Sequence, residues 1–408
     1  MPLRFSAMLG LVCLLTPVAR CADVAEAIPI ELDAGPRDRH AIPVFFDLPE
    51  SLQSRAALRL VRGDTGRPVA VQVDPGSPPR AVWMLDEPLP AGQTRRYRLA
   101  PGAAAKEPQP SVAIKDDGQR LVVRIGGRPV LAYNHAVVPC PDRQQPWFDR
   151  SGFIHPVFSP AGQVLTDAMP PDHYHQHGLM FAWVNSTFEG RPVDFWNSKV
   201  QQGRIEHVKL VEVCEGDVFA GFTVELAHVD LTAPGGPKKA LAETWQVRVY
   251  HRTDGFLFDL CSTQRCASKS PLVVNEYHYG GMAFRGAREW FDARSGDFLT
   301  SEGKTRADGN HTRPGWVDAH GVIGGRTAGL TVFSFPDNFR SPQPVRLHPE
   351  KPYFCWAAMV PGSFTIEPAA VYVSKYRYYA HDNPLDVREA ETIWHALAEP
   401  LIARIGKP

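Results

Sequence analysis

Short extended runs separated by turn residues dominate this chain and restrict what it can fold into. Segments 121–125, 208–213, 219–226, 243–250, 256–260 and 330–335 are rich in Val, Ile, Phe and Tyr and are bounded by Gly, Asp, Asn or Pro. Such side chains suit a pleated, half-buried surface. The chain's 38 prolines and 33 glycines supply turns such as Asp116-Asp117-Gly118, Gly126-Gly127 and Pro234-Gly235-Gly236. Regular short strands with few helical stretches predict a mainly β chain built as a large antiparallel sandwich.

The 408 residues leave room for more than one unit. At the start, Arg4, an apolar run over 7–15 and Ala19-Arg20-Cys21 have the composition of a signal peptide covering 1–21. Cleavage before Ala22 is expected, with Ala25-Glu26-Ala27 as the alternative; Arg20 argues against lipid attachment at Cys21. The run is too short to span a bilayer, and no later stretch approaches the roughly 18 apolar residues a span needs. The expected destination is the periplasm or exterior of a bacterium. Residues 28–100 then read as a small immunoglobulin-like sandwich, with strands near 28–32, 44–47, 57–61 and 96–99. An Ala/Pro-rich linker is expected at 101–111 and the large sandwich at 112–380. After Pro384-Leu385-Asp386, the spacing of Val387, Ala390, Ile393, Trp394 and Leu397 predicts a helix within 386–405, stopped or kinked by Pro400.

The formal net charge is zero, with no long run of one sign, so neither nucleic acid nor an anionic membrane is favoured as a partner. Of the seven cysteines, Cys140, Cys214, Cys261, Cys266 and Cys355 lie beyond the leader. An odd number leaves at least one free thiol. Cys261 and Cys266 flank Ser262-Thr263-Gln264-Arg265 as the candidate pair at a hairpin end, against a reading as small apolar filler.

The chemistry concentrates in Asp172-His173-Tyr174-His175-Gln176-His177. If the run is extended, its three imidazoles share one face. Histidine is both the usual proton carrier near neutral pH and the commonest metal ligand, and Asp172 could orient one ring. A second group is Glu276-Tyr277-His278-Tyr279-Gly280-Gly281, followed by Arg285, where Glu276, His278 and Gly280 share a face if the segment is extended. Trp316-Val317-Asp318-Ala319-His320 is a third and Pro336-Asp337-Asn338-Phe339-Arg340 a fourth, while Asp194-Phe195-Trp196-Asn197 lies between. Aromatic faces beside carboxylates and amides suit a sugar ring.

The leading expectation is therefore acid–base chemistry on a carbohydrate without a cofactor. His173 or His175 acts as acid and Glu276 or Asp318 as base. Asp172, Trp196, Asn197, His278, Arg285, His320 and Asn338 bind substrate. A second expectation is a zinc or copper site using His173, His175 and His177, although same-face strand neighbours lie ~6.5–7 Å apart. A non-catalytic carbohydrate-binding module is a third.

The ordered strings GFIHPVFSPAGQVLTDAMPPDHYHQHGLMFAW, DFWN, EYHYGGMAFR and GLTVFSFPDNFRSP resemble the family labelled methane oxygenase PmoA, a domain of unknown function, over about 115–380. The family pattern D-H-x-H-H-R-G is met by Asp172, His173, His175 and Gly178, whereas Gln176 and His177 depart from it. A membrane subunit of a methane monooxygenase needs several spans, which this chain lacks. The resemblance implies instead a galactose mutarotase-like sandwich, in which a His acid and a carboxylate base work on a sugar hemiacetal.

Overall fold

A computed structural model describes residues 27–54, 57–76, 78–85, 87–102, 110–291 and 295–407. The expected leader over 1–21 and most of the expected linker over 101–111 lie outside the described residues. The strand ladders are antiparallel, as in the pairing of Phe219–Asp230 with Lys238–Tyr250. One eight-stranded sheet runs in the order Val345–Leu347, Tyr353–Trp356, Gly281–Arg285, Leu179–Ala182, Phe153–Val157, Arg128–Asn134, Arg120–Ile125, Val112–Asp116. The other eight-stranded sheet holds the long strands, from Gly203–Cys214 through Phe256–Cys266 and Tyr372–Asp382 to Gly296–Thr300.

Alternation explains how the two sheets meet. Val123, Leu131 and Phe181 from the first and Val224, Trp245, Val247, Leu260, Val317 and Ala319 from the second share one buried core. In each strand the neighbours of these residues face the other way. A small four-stranded sheet caps one end, with Ser186–Phe188 and Leu272–Val274 at its centre.

The N-terminal strands form a five-stranded and a three-stranded sheet around a separate core that includes Ile30, Leu32, Trp83 and Tyr97. Ala396, Leu401 and Ala403 complete that core, and the strand Arg404–Ile405 pairs with Ile28–Asp33. The helix runs over Val387–Ala398, begun by Asp386, whose side chain accepts from the Arg388 N–H at 2.9 Å. It ends earlier than the expected limit of 405, because Pro400 cannot extend it and the following residues join a sheet. Ala390, Ile393 and Leu397 pack it on Trp316, Phe333 and Tyr379 of the second large sheet.

Cys261 and Cys266 lie in one continuous strand, Phe256–Cys266, so their odd spacing points them to opposite faces. Cys140, Cys214, Cys261, Cys266 and Cys355 are all free thiols, which corrects the hairpin-end pairing. Among the described residues no helix is long and apolar enough to cross a membrane.

Candidate active site

The run 173–177 is not a strand. After Pro170-Pro171 the chain makes successive turns, with His173 N–H donating to Pro170 O at 2.9 Å and Gln176 N–H to His173 O at 3.0 Å. Met169 N–H then donates to Gln176 O at 2.8 Å. Proline removes a ladder donor and favours turns, so the period-2 expectation fails and the three imidazoles do not share a face. Gly178 closes the segment at φ +43°, where a Cβ would stand 2.2 Å from Ile154 O. Only glycine lets the chain enter the strand Leu179–Ala182 this closely.

His177 turns inward. It is fully buried, 5.0 Å from the Phe153 ring, and neither ring nitrogen has a hydrogen-bond partner among the described residues. The expected three-histidine metal site is corrected accordingly. Among the described residues no three His, Cys, Asp or Glu side chains form a metal-binding group.

His173 and His175 stay together, with ring centroids 5.2 Å apart. They line a cavity of about 180 Å³ with Gln176, Trp196, Asn197, His278, Tyr279, Arg346, His348 and Tyr353. Three further stretches of chain complete its walls. Asp194 takes the Trp196 and Asn197 N–H groups on Oδ1, both at 2.8 Å, and the Asn197 amide on Oδ2 at 2.7 Å. That turn presents Asn197 to the Tyr279 hydroxyl at 3.0 Å and sets the Trp196 ring 5.3 Å from the Tyr279 ring. The loop carrying His278 and Tyr279 reaches its strand through Gly281, at φ +90°, where a Cβ would meet Trp356 O at 2.5 Å. Arg346, His348 and Tyr353 come from the neighbouring strand pair at the sheet edge.

Behind the cavity, buried Arg285 clamps Asp172 through both carboxylate oxygens at 3.0 Å and donates to Gln176 Oε1 at 2.7 Å. Asp172 also lies 3.0 Å from His173 Nδ1 and 3.7 Å from Lys351 Nζ. Burial alone would raise its pKa, but His173 and Arg285 outweigh that and hold the carboxyl well below the usual range. His173 Nδ1 is 3.0 Å from Lys351 Nζ as well. The nitrogen can donate to Asp172 or accept from Lys351, not both, so this ring sits at a proton crossing.

The remaining imidazoles are kept neutral. Burial, then the charges of His173, Arg150 and Arg285, push His175 down to about 3. Burial, then Lys351 and Arg346, push His348 down to about 4. Burial and Arg346 lower His278. His348 Nδ1 accepts the N–H groups of Glu350 and Lys351, both at 3.1 Å, so the neutral ring carries its proton on Nε2. Histidine therefore supplies a fixed donor at 348 and an uncommitted ring at 175.

Of the residues singled out in the sequence, His173, His175, Trp196, Asn197 and His278 line this cavity, and Asp172 and Arg285 stand behind it. Glu276, Asp318, His320 and Asn338 do not line the cavity. Glu276 lies exposed in a loop, not on an extended face. Asp318 is fully buried and accepts from His320 Nδ1 at 2.9 Å, His381 Nε2 at 3.0 Å and Thr331 Oγ1 at 2.8 Å. Asn338 braces a turn, donating to Ser334 Oγ at 3.0 Å and Lys375 O at 2.8 Å. Arg346, His348, Lys351 and Tyr353 went unnoticed in the sequence, although Arg346 and His348 show the same i, i+2 spacing as His173 and His175.

Among solved structures the chain is similar to an alpha-mannosidase from Enterococcus faecalis, at 11% identity over 93% of this chain and 46% of that one, with a TM-score of 0.41. It is also similar to the GH36 alpha-galactosidase AgaB from Geobacillus stearothermophilus, at 10% identity over 70% of this chain and 42% of that one, TM-score 0.32. A galactose mutarotase related enzyme from Lactobacillus acidophilus shares 9% identity over 67% of this chain and all of its own, TM-score 0.23. The chain spans less than half the length of the first two. No curated protein matches the sequence. The methane-oxygenase label finds no support: over residues 120–395 the chain matches, and belongs to, the family of unknown function DUF6807.

Proposed function

We propose that this cavity holds a sugar and moves a proton on it, in the manner of an epimerase, a lyase or a hydrolase. The observation that supports this reading is the pairing of His173 and His175, 5.2 Å apart, in one cavity with the Trp196–Tyr279 aromatic pair. About 180 Å³ is less than the ~300–1,000 Å³ of pockets for drug-sized ligands. It suits a single ring or the end of a chain.

The expected carboxylate base gives way to an imidazole in this scheme, because no Asp or Glu lines the cavity among the described residues. His175, neutral and uncommitted, takes the proton. His173 returns one, with Asp172 at 3.0 Å stabilising its imidazolium and Lys351 at 3.0 Å supplying the alternative contact. Asn197 and Tyr279 hold hydroxyls, and His348 Nε2–H donates to a ligand oxygen. We further propose export, with a mature protein beginning at Ala22; N-terminal sequencing of the secreted or periplasmic form checks this.

The activity test is incubation with mono- and disaccharides, including oxidised sugars, in D2O, followed by NMR. Deuterium incorporation or new sugar signals are expected, and they vanish in His175→Ala while the melting temperature holds. Activity retained in that variant overturns the scheme. A second reading, a non-catalytic sugar-binding site, draws on the low basicity of His175, held at about 3 in the free protein. Saturable binding with no product would select it.

A further inference from the structure

We infer that the sugar carries a carboxylate, held by Arg346 together with the Nε2–H of His348. This deepens the sugar reading above and rests on it. The argument begins with the charge around the cavity. Arg346 lines it directly, while Lys351 and Arg285 stand behind it within 3.7 Å of Asp172. Two of these three cations meet the carboxylate of Asp172, and that carboxylate is consumed by the two-oxygen clamp of Arg285.

Arg346 is differently placed. It donates to the neutral Asn310 Oδ1 at 3.1 Å, and among the described residues no carboxylate pairs with it. Elsewhere in the chain some arginines at the edge of the interior hold carboxylates, while Arg95 and Arg340 spend their forks on backbone carbonyls. Arg377 holds Asp259, Arg248 holds Asp74 and Arg252 holds Asp254. A guanidinium fork facing a cavity without a carboxylate is a receptor for one. His348 adds a fixed N–H donor from the same strand pair, two residues along. Neutral sugars would satisfy neither the fork nor the charge.

An anion would also change the histidines. After burial, the larger cause, Lys351 and Arg346 suppress protonation of His348, and Arg346 suppresses that of His278. A ligand carboxylate among these groups offsets the cations and makes the imidazoles better proton acceptors. The free site is then a poor base and the occupied site a better one. Carboxylate is favoured over phosphate because one fork and one N–H match two oxygens, whereas a dianionic phosphate calls for more donors than the lining provides.

Calorimetric titration of the full chain with glucuronate, galacturonate, gluconate, glucose, glucose 6-phosphate and malate tests this. The inference expects a sugar acid to bind at least tenfold tighter than glucose, with affinity falling as salt rises. Arg346→Gln should cost tenfold or more in that affinity, and Arg346→Lys should recover part of it. Neutral sugars binding equally well, unaffected by Arg346→Gln, overturn the carboxylate and leave the sugar site standing. Glucose 6-phosphate binding tightest also overturns it, in favour of a phosphate. Malate matching the sugar acids overturns the sugar reading beneath it, and binding by none of the probes overturns both. A melting curve on each variant separates lost binding from lost folding.

Discussion

Two clusters of histidine in this molecule stand in opposite electrostatic surroundings. Around the cavity, His175, His278 and His348 face Arg346, Lys351 and Arg285, and each is pushed toward the neutral form. Around Asp318, burial also disfavours charge on His320 and His381, but the shared carboxylate reverses that and raises both. Asp318 itself is held well below the ordinary range despite burial, by His381 and His320. The second cluster ties the strands Trp316–Ile323, Arg326–Ser334 and Tyr372–Asp382 together through satisfied pairs. The first lines a cavity and includes the His348 Nε2–H and the His175 ring. The i, i+2 pair of Asp318 and His320 within one strand is a strand staple, whereas the adjacent Asp172 and His173 in a turn border the cavity.

The contrast can be broken most sharply at His175. His175→Ala should lower turnover ~10²–10⁴-fold, the usual worth of general acid–base help, and change unfolding free energy by less than about 1 kcal/mol. Asp318→Ala should do the reverse. Leaving nearly buried His381 without its carboxylate should cost about 3 kcal/mol in denaturant unfolding, with turnover intact.

pH separates the clusters next. His175 and His348 have folded values near 3 and 4, below the unfolded value of ~6.5. As pH falls below ~6.5 the unfolded chain binds protons that the folded one refuses, so these residues erode stability on acidification. His320 and His381 are raised, so their contribution is full below ~6.5 and is lost as pH rises through their folded values. The penalty of Asp318→Ala should therefore be larger at pH 5.5 than at pH 8.5. Ring-proton NMR should show His320 and His381 titrating above the ordinary value and His348 well below it.

The smallest effect is expected at His177. Replacing it by Leu removes two buried unpartnered ring nitrogens and should stabilise the fold by about 1 kcal/mol, leaving turnover unchanged.

The strands were readable because alternation is a local property. Val247 and Val249 face inward whichever strands flank them, and the sequence shows that period directly. The cavity is not local. His173 and His348 meet because the edge strand Val345–Leu347 and its partner Tyr353–Trp356 lie beside Gly281–Arg285, which adjoins Leu179–Ala182. No spacing within the chain encodes that adjacency. Pro170-Pro171 signals a turn ahead of His173, which competes with the alternation that would put His177 on the same face, and the family pattern sets His177 apart as well. The surroundings of Asp318 are not local either: its second imidazole, His381, arrives from a strand far along the chain.

The pairing of Arg404–Ile405 with Ile28–Asp33, with Ala396, Leu401 and Ala403 filling the same small core, bears on the order of assembly. On a ribosome the N-terminal strands emerge first yet lack an edge and part of their interior until residues 396–405 follow. The small sandwich therefore closes late, like a clasp fastened after the garment is on. A fragment cut before residue 396 leaves it open and exposes apolar surface that the full chain covers.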